Sequence, residues 1–364
     1  MAGIYIHIPF CRSRCIYCGF YSTTSLEMRQ RYVDALCREI EMRGLDSQIS
    51  TIYLGGGTPS QLSIDQLRQI FTSIYIYNKV SENAEVTIEA NPDDVTEAFA
   101  ENLRTLPVNR VSMGAQTFND QRLHWLHRRH TSYQASEAVE RLRAAGIHNI
   151  SIDLMYGFPQ ESIEDWDRDI SSVLALAPEH LSAYCLMIEE GTPLHKMNPR
   201  PVDEELERRM YYHLIDCLET AGYEHYEISN FARPGFRSQH NSSYWNGSPY
   251  IGIGAAAHSY DIQTRSWNIS DLNQYIEGME HGKRIFEYET IDDDTRYNDL
   301  ITTALRTREG IDLSSLSPHH RNYCTKAARR FINDGLLKLH HQSLSLTRRG
   351  IFVSDMIMSE LMSV

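Results

Sequence analysis

A chain of 364 residues can bury one large core with an appendage, or two ordinary cores, so folding needs no disulfide staples. Its 48 acidic against 35 basic side chains give a formal net charge of -13, which opposes a general electrostatic grip on nucleic acid or an anionic membrane. No run of about 18 apolar residues is present, and the opening MAGIYIHIPF lacks the charged lead and long apolar block of a secretory signal, so a cytoplasmic location with reduced thiols is expected.

In chain order, the β-rich run GIYIHIP (3–9) leads into a loop with cysteines at 11, 15 and 18. The spacing of Leu26, Tyr32, Val33, Leu36 and Ile40 then predicts a helix over 26–43. The pattern recurs: strand TIYL (51–54) before a helix near 63–76, and strand EVTIEA (85–90) before a helix near 95–105. Further strands are predicted at RVSMG (110–114), NISIDLMYG (149–157), HLSAYCL (180–186) and YEHYEIS (223–229), with helices between them. Such β-α alternation predicts an α/β fold of parallel strands with crossover helices, in an open doubly wound sheet or a full or partial barrel.

Cys11 to Cys18, Gly55 to Pro59, Glu89 to Pro92, Gln116 and Asp153 all fall at or just after predicted strand ends. That rim is where both architectures bind ligands. After about residue 230 comes a polar, aromatic loop, SNFARPGFRSQHNSSYWNGSPY, of the length and composition that functional loops have, then a small-residue strand, IGIGAAAHSY. From about 290, helical patterns surround GLLKLHHQSLSLT, which reads as a hairpin in a small winged-helix unit.

Of the seven cysteines, Cys37, Cys185, Cys217 and Cys324 stand alone in apolar or helical patterns and are assigned no chemistry. The other three form C-x3-C-x2-C. A structural zinc site wants four protein ligands, whereas a cubane cluster on three thiolates keeps one iron open to an outside ligand. No second close pair of cysteines exists, and His7, inside a strand pattern, is read as structural. With Tyr17 just before the last cysteine, FCRSRCIYCGF resembles the signature of the radical S-adenosylmethionine (SAM) superfamily.

That resemblance implies a partial (β/α)6 TIM-type barrel with a C-terminal helical, winged-helix-like accessory domain. It implies that Cys11, Cys15 and Cys18 hold a [4Fe-4S] cluster whose open iron chelates SAM, an electron from the cluster cleaving the C5′–S bond to a 5′-deoxyadenosyl radical. Tyr17 is then expected near the adenine. LGGGTPS (54–60) lacks the lysine of a phosphate loop but resembles the superfamily's GGTP motif, which places Gly56, Gly57 and Thr58 against the SAM amino group. The expected organisation is a radical SAM core over 1–230, a loop and strand over 231–289 that complete it, and the accessory domain over 290–364.

Glu89 in IEANP, Gln116 in SMGAQTF, Arg128 in HRRH and Asp153 in SIDLMYGFP stand in an order that resembles the oxygen-independent coproporphyrinogen III oxidase group. Tyr5 also matches, as do TREGIDL and LSLTRRGIFVSD in the accessory region, so the resemblance spans nearly the whole chain. It implies that these five residues bind SAM. A carboxylate that accepts from ribose hydroxyls is chemically apt.

Two features depart from the oxidases: the cluster loop starts as early as residue 11, and Phe20 stands where they carry a further cysteine. The CGFYS ending and HNSSYW (240–245) instead resemble the haem chaperone (HemW-like) branch of the group. This implies His240 as a haem iron ligand, Tyr244 and Trp245 packing on the porphyrin, and delivery of haem to a membrane or respiratory haemoprotein, any membrane contact being peripheral. His124, His127, His130, His319, His320, His340 and His341 are read as surface residues. Rival readings are propionate decarboxylation of coproporphyrinogen III, radical chemistry on RNA, which the acidic balance opposes, and a zinc-stabilised interaction protein.

Overall fold

The computed structural model describes residues 2–45 and 47–363. Six strands, β1 (Ala2–Ile8), β2 (Ile49–Gly56), β3 (Val80–Ala90), β4 (Arg110–Gln116), β5 (Asn149–Tyr156) and β6 (His180–Cys185), lie side by side in chain order, all parallel. Helices follow each of them. Three of these helices start on reciprocal caps, Ser63 with Gln66, Thr131 with Gln134 and Ser162 with Asp165.

The sheet then grows at both edges. Beside β6 come β8 (Asn230–Ala232) and β7 (Glu224–Glu227), both antiparallel to their neighbours. On the other side β9 (Tyr250–Ile253) joins β1 in parallel, and β10 (His258–Tyr260), β11 (Thr264–Asn268) and β12 (Phe286–Thr290) continue antiparallel. The result is one open sheet of twelve strands with free edges at β12 and β7. The expected single strand IGIGAAAHSY is thus two strands that turn back on each other, and β11 and β12 were not anticipated.

Strand alternation gives this sheet two unlike faces. Ile4, Ile6, Ile8, Ile52, Leu54, Val86, Ile88, Val111 and Ile152 are buried under the helices, each worth about 1.5–3 kcal/mol. Their neighbours in sequence, among them Tyr5, Thr51, Tyr53, Glu85, Glu89, Arg110, Ser151, Asp153 and His180, point to the other face. The sheet curls around that polar face, because loops from distant strands meet across its end. Cys15, after β1, lies 3.6 Å from Arg128, after β4, although three strand spacings amount to about 14 Å. Ile16, Leu126, Met155, Phe158, Leu186 and Leu194 seal the same rim in a small apolar cluster.

A separate core gathers Tyr297, Ile301, Phe331, Leu337, Leu344 and Ile357 around a small sheet of β13 (Ile311–Asp312), β15 (Ser343–Leu346) and β14 (Leu337–His340). The hairpin β14–β15 sits where the sequence placed it. Arg306 ties this unit to Glu227 of β7, and Arg348 ties it to Asp216 on the helix Glu204–Thr220. Two histidines expected at the surface are buried: His130 Nε2 lies 3.1 Å from the Ala115 carbonyl, and His320 stacks on Tyr297 with Nε2 2.8 Å from Asp294. Each found a partner on another element, which spacing alone does not reveal.

Candidate functional site

The cysteine loop leaves β1 pinned to its own return: Cys11 N donates to the Thr23 carbonyl at 2.9 Å, and Thr23 N to that of Pro9 at 2.7 Å. All three thiols are free and half-buried. Burial pushes Cys11 and Cys18 up, and the neighbouring cysteines add to the shift. A chain of polar contacts joins two of the three. Arg128 donates to Cys15 Sγ at 3.6 Å and to Asn91 Oδ1 at 2.8 Å; Asn91 donates to Thr58 Oγ1 at 3.3 Å, and Thr58 Oγ1 lies 3.5 Å from Cys11 Sγ. The guanidinium and the hydroxyl thus give two of the three sulfurs polar neighbours.

The glycines of LGGGTPS answer to the protein's own packing. Gly56 has φ +111, and a Cβ there would stand 2.6 Å from the His7 ring. One on Gly57 would stand 2.7 Å from the Pro9 carbonyl carbon. Their absence of side chains lets the ends of β1 and β2 close up beneath the cysteine loop. His7 is structural, its ring nitrogens 3.0 Å from the Tyr5 hydroxyl and 3.0 Å from the Tyr21 carbonyl.

Beneath the rim lie the carboxylates. Glu89 accepts from the Tyr53 hydroxyl at 2.7 Å and from Gly56 N at 3.1 Å. Burial, helped by Asp153, pushes Glu89 up to about 7 against those two donors. Asp153, between the Ser112 and Ser182 hydroxyls, is pushed up to about 6, also by burial. Gln116 closes β4 at a bulge with φ 69, a left-handed conformation costing a non-glycine residue about 1 kcal/mol or more. Tyr17 faces Cys15, Cys18 and Arg128, and Tyr5 lies deeper, stacked at 6.2 Å on Tyr53.

His240 is at the other end. HNSSYW forms a short helix, Gln239–Trp245, where the sequence suggested a loop. Glu85 of β3 fixes its start by accepting from Gln239 N at 3.0 Å and His240 N at 2.9 Å. The helix drives His240 into the polar face beside the first residues of β1 and β2, fully buried. Nδ1 is 2.8 Å from Thr51 Oγ1, Nε2 is 2.8 Å from the Tyr244 hydroxyl, and Tyr53 stacks on the ring at 5.1 Å. Burial and the Arg110 charge push the imidazole down to about 3, so it is neutral. Trp245 instead turns under Arg306, and its ring stands at 71° to Tyr244, so the two form no common platform for a porphyrin.

The structure therefore gathers Cys11, Cys15, Cys18, Thr58, Arg128, Gln116 and Tyr17 at the rim, sets Glu89, Gly56 and Asp153 just below, and leaves His240 on the far side of Tyr53 from Glu89. Sequence reasoning passed over Tyr53, Asn91 and Arg110. Arg110 is 1 % exposed, its Nε and Nη1 without hydrogen-bond partners among the described residues, and its charge acts on both His180 and His240. A signal existed: Arg110 lies in period-two register with Ser112, Gly114 and Gln116, hence on their face.

Comparison with known proteins fits this arrangement. The Radical SAM superfamily pattern matches residues 5–173 and the HemN C-terminal domain pattern residues 291–353. The heme chaperone HemW of Lactococcus lactis is 33% identical over 98% of this chain and 96% of its own length. That of Mycobacterium tuberculosis H37Rv is 33% identical over 99% and 94%, and that of Escherichia coli K12 is 34% identical over 70% and 69%. Coproporphyrinogen III oxidase (HemN) from Escherichia coli, a radical SAM enzyme, matches with a TM-score of 0.88 over 100% of this chain and 90% of its own; at 21% identity this is a likeness of fold alone. With a radical SAM fold, three cysteines on one loop at its rim and full-length kinship to those chaperones, the chain belongs to the radical SAM superfamily and, within it, to the family of the heme chaperone HemW.

Proposed function

We propose that this protein is a haem chaperone that carries a [4Fe-4S] cluster with SAM on its open iron and delivers haem to acceptor haemoproteins. The observation that carries the reading is kinship at 33% identity along nearly the whole chain with curated heme chaperones. The donor set fits a cluster: three free thiols on one loop, with no fourth cysteine beside them and a guanidinium against one sulfur. When bound, the cluster supplies the electron that cleaves SAM.

In this reading Cys11, Cys15 and Cys18 hold iron. Gly56, Gly57 and Thr58 approach the amino-acid part of SAM, as do Gln116 and Arg128, and Tyr17 meets the adenine. Glu89 and Asp153, raised toward neutrality, become carboxylates when a cation or ribose hydroxyl replaces the water they lose. Tyr5 backs them from below. His240 offers a neutral imidazole, the form that ligates haem iron, once the Tyr244 hydroxyl leaves Nε2.

Residues 1–230 would serve the cluster and SAM, 231–289 would complete that core and carry the haem motif, and 290–364 would be an accessory unit. No helix among the described residues is long and apolar enough to cross a membrane. In this reading the protein works in the cytoplasm and meets a membrane or respiratory haemoprotein only peripherally. The deciding experiment is anaerobic reconstitution with iron and sulfide, followed by haemin titration and transfer to an apo-haemoprotein. Stoichiometric haem binding with transfer is expected. Failure to bind haem, with conversion of coproporphyrinogen III to its decarboxylated product, would replace this reading with the oxidase.

A further inference from the structure

The sheet extension that joins β1 on its outer side builds a groove of about 510 Å³ along β9–β12, within the roughly 300–1,000 Å³ usual for small-molecule sites. It opens beside Ala2 and Tyr250, the first residues of β1 and β9, whereas the cysteine loop follows the far end of β1, about 20 Å along the strand. Pro249, Tyr250, Ile251, Tyr260, Phe286 and Tyr288 give it an apolar, largely aromatic lining. Phe286 and Tyr288 stay 45% and 67% exposed as a neighbouring pair on the edge strand.

Two cations stand in the same wall. Arg43 donates to Glu39 at 2.9 Å, to the Gly252 carbonyl at 2.7 Å and to Ser259 at 3.0 Å; Arg284 donates to Asn268 at 2.7 Å and lies 3.5 Å from the same Glu39. Two guanidinium groups thus share one buried carboxylate, so that even with Asp261 in its lining the groove is close to neutral in a protein that carries -13. Asp261 also lines the groove, and its oxygens are taken by its own turn, by Gln263 N, Thr264 N and Thr264 Oγ1. The Arg284 guanidinium carbon sits over the Phe286 ring, 4.1 Å from its centre, so cation and aromatic ring stand together in the wall.

We infer that this groove docks the porphyrin itself, a flat apolar macrocycle with two carboxylates, before or apart from any iron ligation. The inference rests on the haem-chaperone reading and assigns it a site. An aromatic wall suits the ring and the paired arginines suit its carboxylates. The groove is also continuous with the histidine motif: Tyr250 packs edge-on against Tyr244 at 4.7 Å, and the Tyr244 hydroxyl is the group that covers His240 Nε2. A porphyrin seated on Tyr250 lies one ring from the histidine. No histidine is among the groove's lining residues, so recognition there needs no iron.

The test titrates the full chain with haemin and, separately, with iron-free protoporphyrin IX. Arg284→Gln, Phe286→Ala and Tyr288→Glu should each weaken both ligands about tenfold, the worth of one charge-assisted or well-packed contact. His240→Ala should change the haemin spectrum and weaken haemin, while iron-free protoporphyrin, which has no iron to ligate, should bind as tightly as to wild type. If Arg284→Gln fails to fold, the exposed Phe286 and Tyr288 positions carry the test alone. Unchanged affinity for both porphyrins in the groove variants, with haemin still bound, would overturn the groove and spare the chaperone reading. Wild-type protein that binds neither porphyrin would overturn both. A change of oligomeric state in Phe286→Ala with porphyrin affinity intact would overturn it too, by making β12 a protein-pairing edge.

Discussion

The hydroxyl of Tyr53 donates to Glu89 at 2.7 Å while its ring lies 5.1 Å from the imidazole of His240, 25° from parallel. One side chain therefore touches a carboxylate of the cysteine-side cluster and the histidine at the opposite end of the polar face. Both contacts stiffen when made together. Tyr53 is therefore a side chain that contacts both halves of the site.

Tyr53→Phe separates these contacts, because it keeps the ring and removes the donor. The hydrogen bond from Tyr53 opposes the burial that raises Glu89, so its loss raises Glu89 further above about 7. SAM binding that requires ionised Glu89 should then shift its pH midpoint upward by about one unit. Titration of reconstituted protein with SAM from pH 6 to 9 reads this directly, and the haemin spectrum should not move. A midpoint that stays in place would disconnect Glu89 from SAM.

Glu89 also predicts a stability signature that needs no cofactor. Its folded pKa of about 7 exceeds the ordinary 4.5, so its favourable contribution is complete below pH 4.5 and is lost as pH rises through 7. His240, pushed down to about 3, acts in the opposite sense: its contribution is present above 6.5 and lost as pH falls. Absolute melting temperatures mix the two, so the difference between proteins is the useful quantity. Glu89→Gln removes only the first, and its stability relative to wild type should climb by on the order of 2 kcal/mol from pH 5 to pH 8. A flat difference would mean that Glu89 is solvated.

The six central strands were legible because one of their faces is a continuous β-branched and leucine-rich set, and the cysteine loop was legible because its three ligands are local in sequence. What stayed hidden depends on distant partners. Helix Gln239–Trp245 reads as a loop from its polar Ser, Asn and His content, since Ser238 caps it locally but the carboxylate that holds its first two N–H groups, Glu85, lies about 150 residues earlier. The strands β11 and β12 hide for a different reason: TRSWN and FEYET bury little, so no apolar alternation marks them. Arg110 was visible by register but was not weighed, because a lone arginine in a strand reads as an edge charge until the sheet is seen to curl.

Replacing cysteines offers a prediction with internal controls. Cys11→Ala, Cys15→Ala and Cys18→Ala should each lose nearly all iron and acid-labile sulfide after anaerobic reconstitution, since a cubane with two protein ligands is poorly held. Cys37→Ala and Cys324→Ala should retain it. Cys324 is wholly buried in the C-terminal core, so its variant should lose on the order of 1 kcal/mol of stability without losing iron. Equal iron in all five variants would remove the cysteine loop from the site.

The last prediction concerns the hydroxyl that covers His240. If His240 ligates haem iron through Nε2, wild-type protein must first break the 2.8 Å bond to Tyr244, a net cost of about 1 kcal/mol. Tyr244→Phe removes that competitor and keeps the ring against Tyr250, so haemin should bind about fivefold tighter with its Soret band unmoved. His240→Ala should do the reverse, changing the band and weakening binding. It should also destabilise the protein by about 3 kcal/mol, because Thr51 and Tyr244 lose a buried partner and Tyr53 loses its stack. Haemin spectra and thermal denaturation of the two variants separate the roles. A shifted band in Tyr244→Phe would make the phenol the ligand, and a stability loss in His240→Ala with an unchanged band would make the histidine a structural keystone of the sheet's polar face.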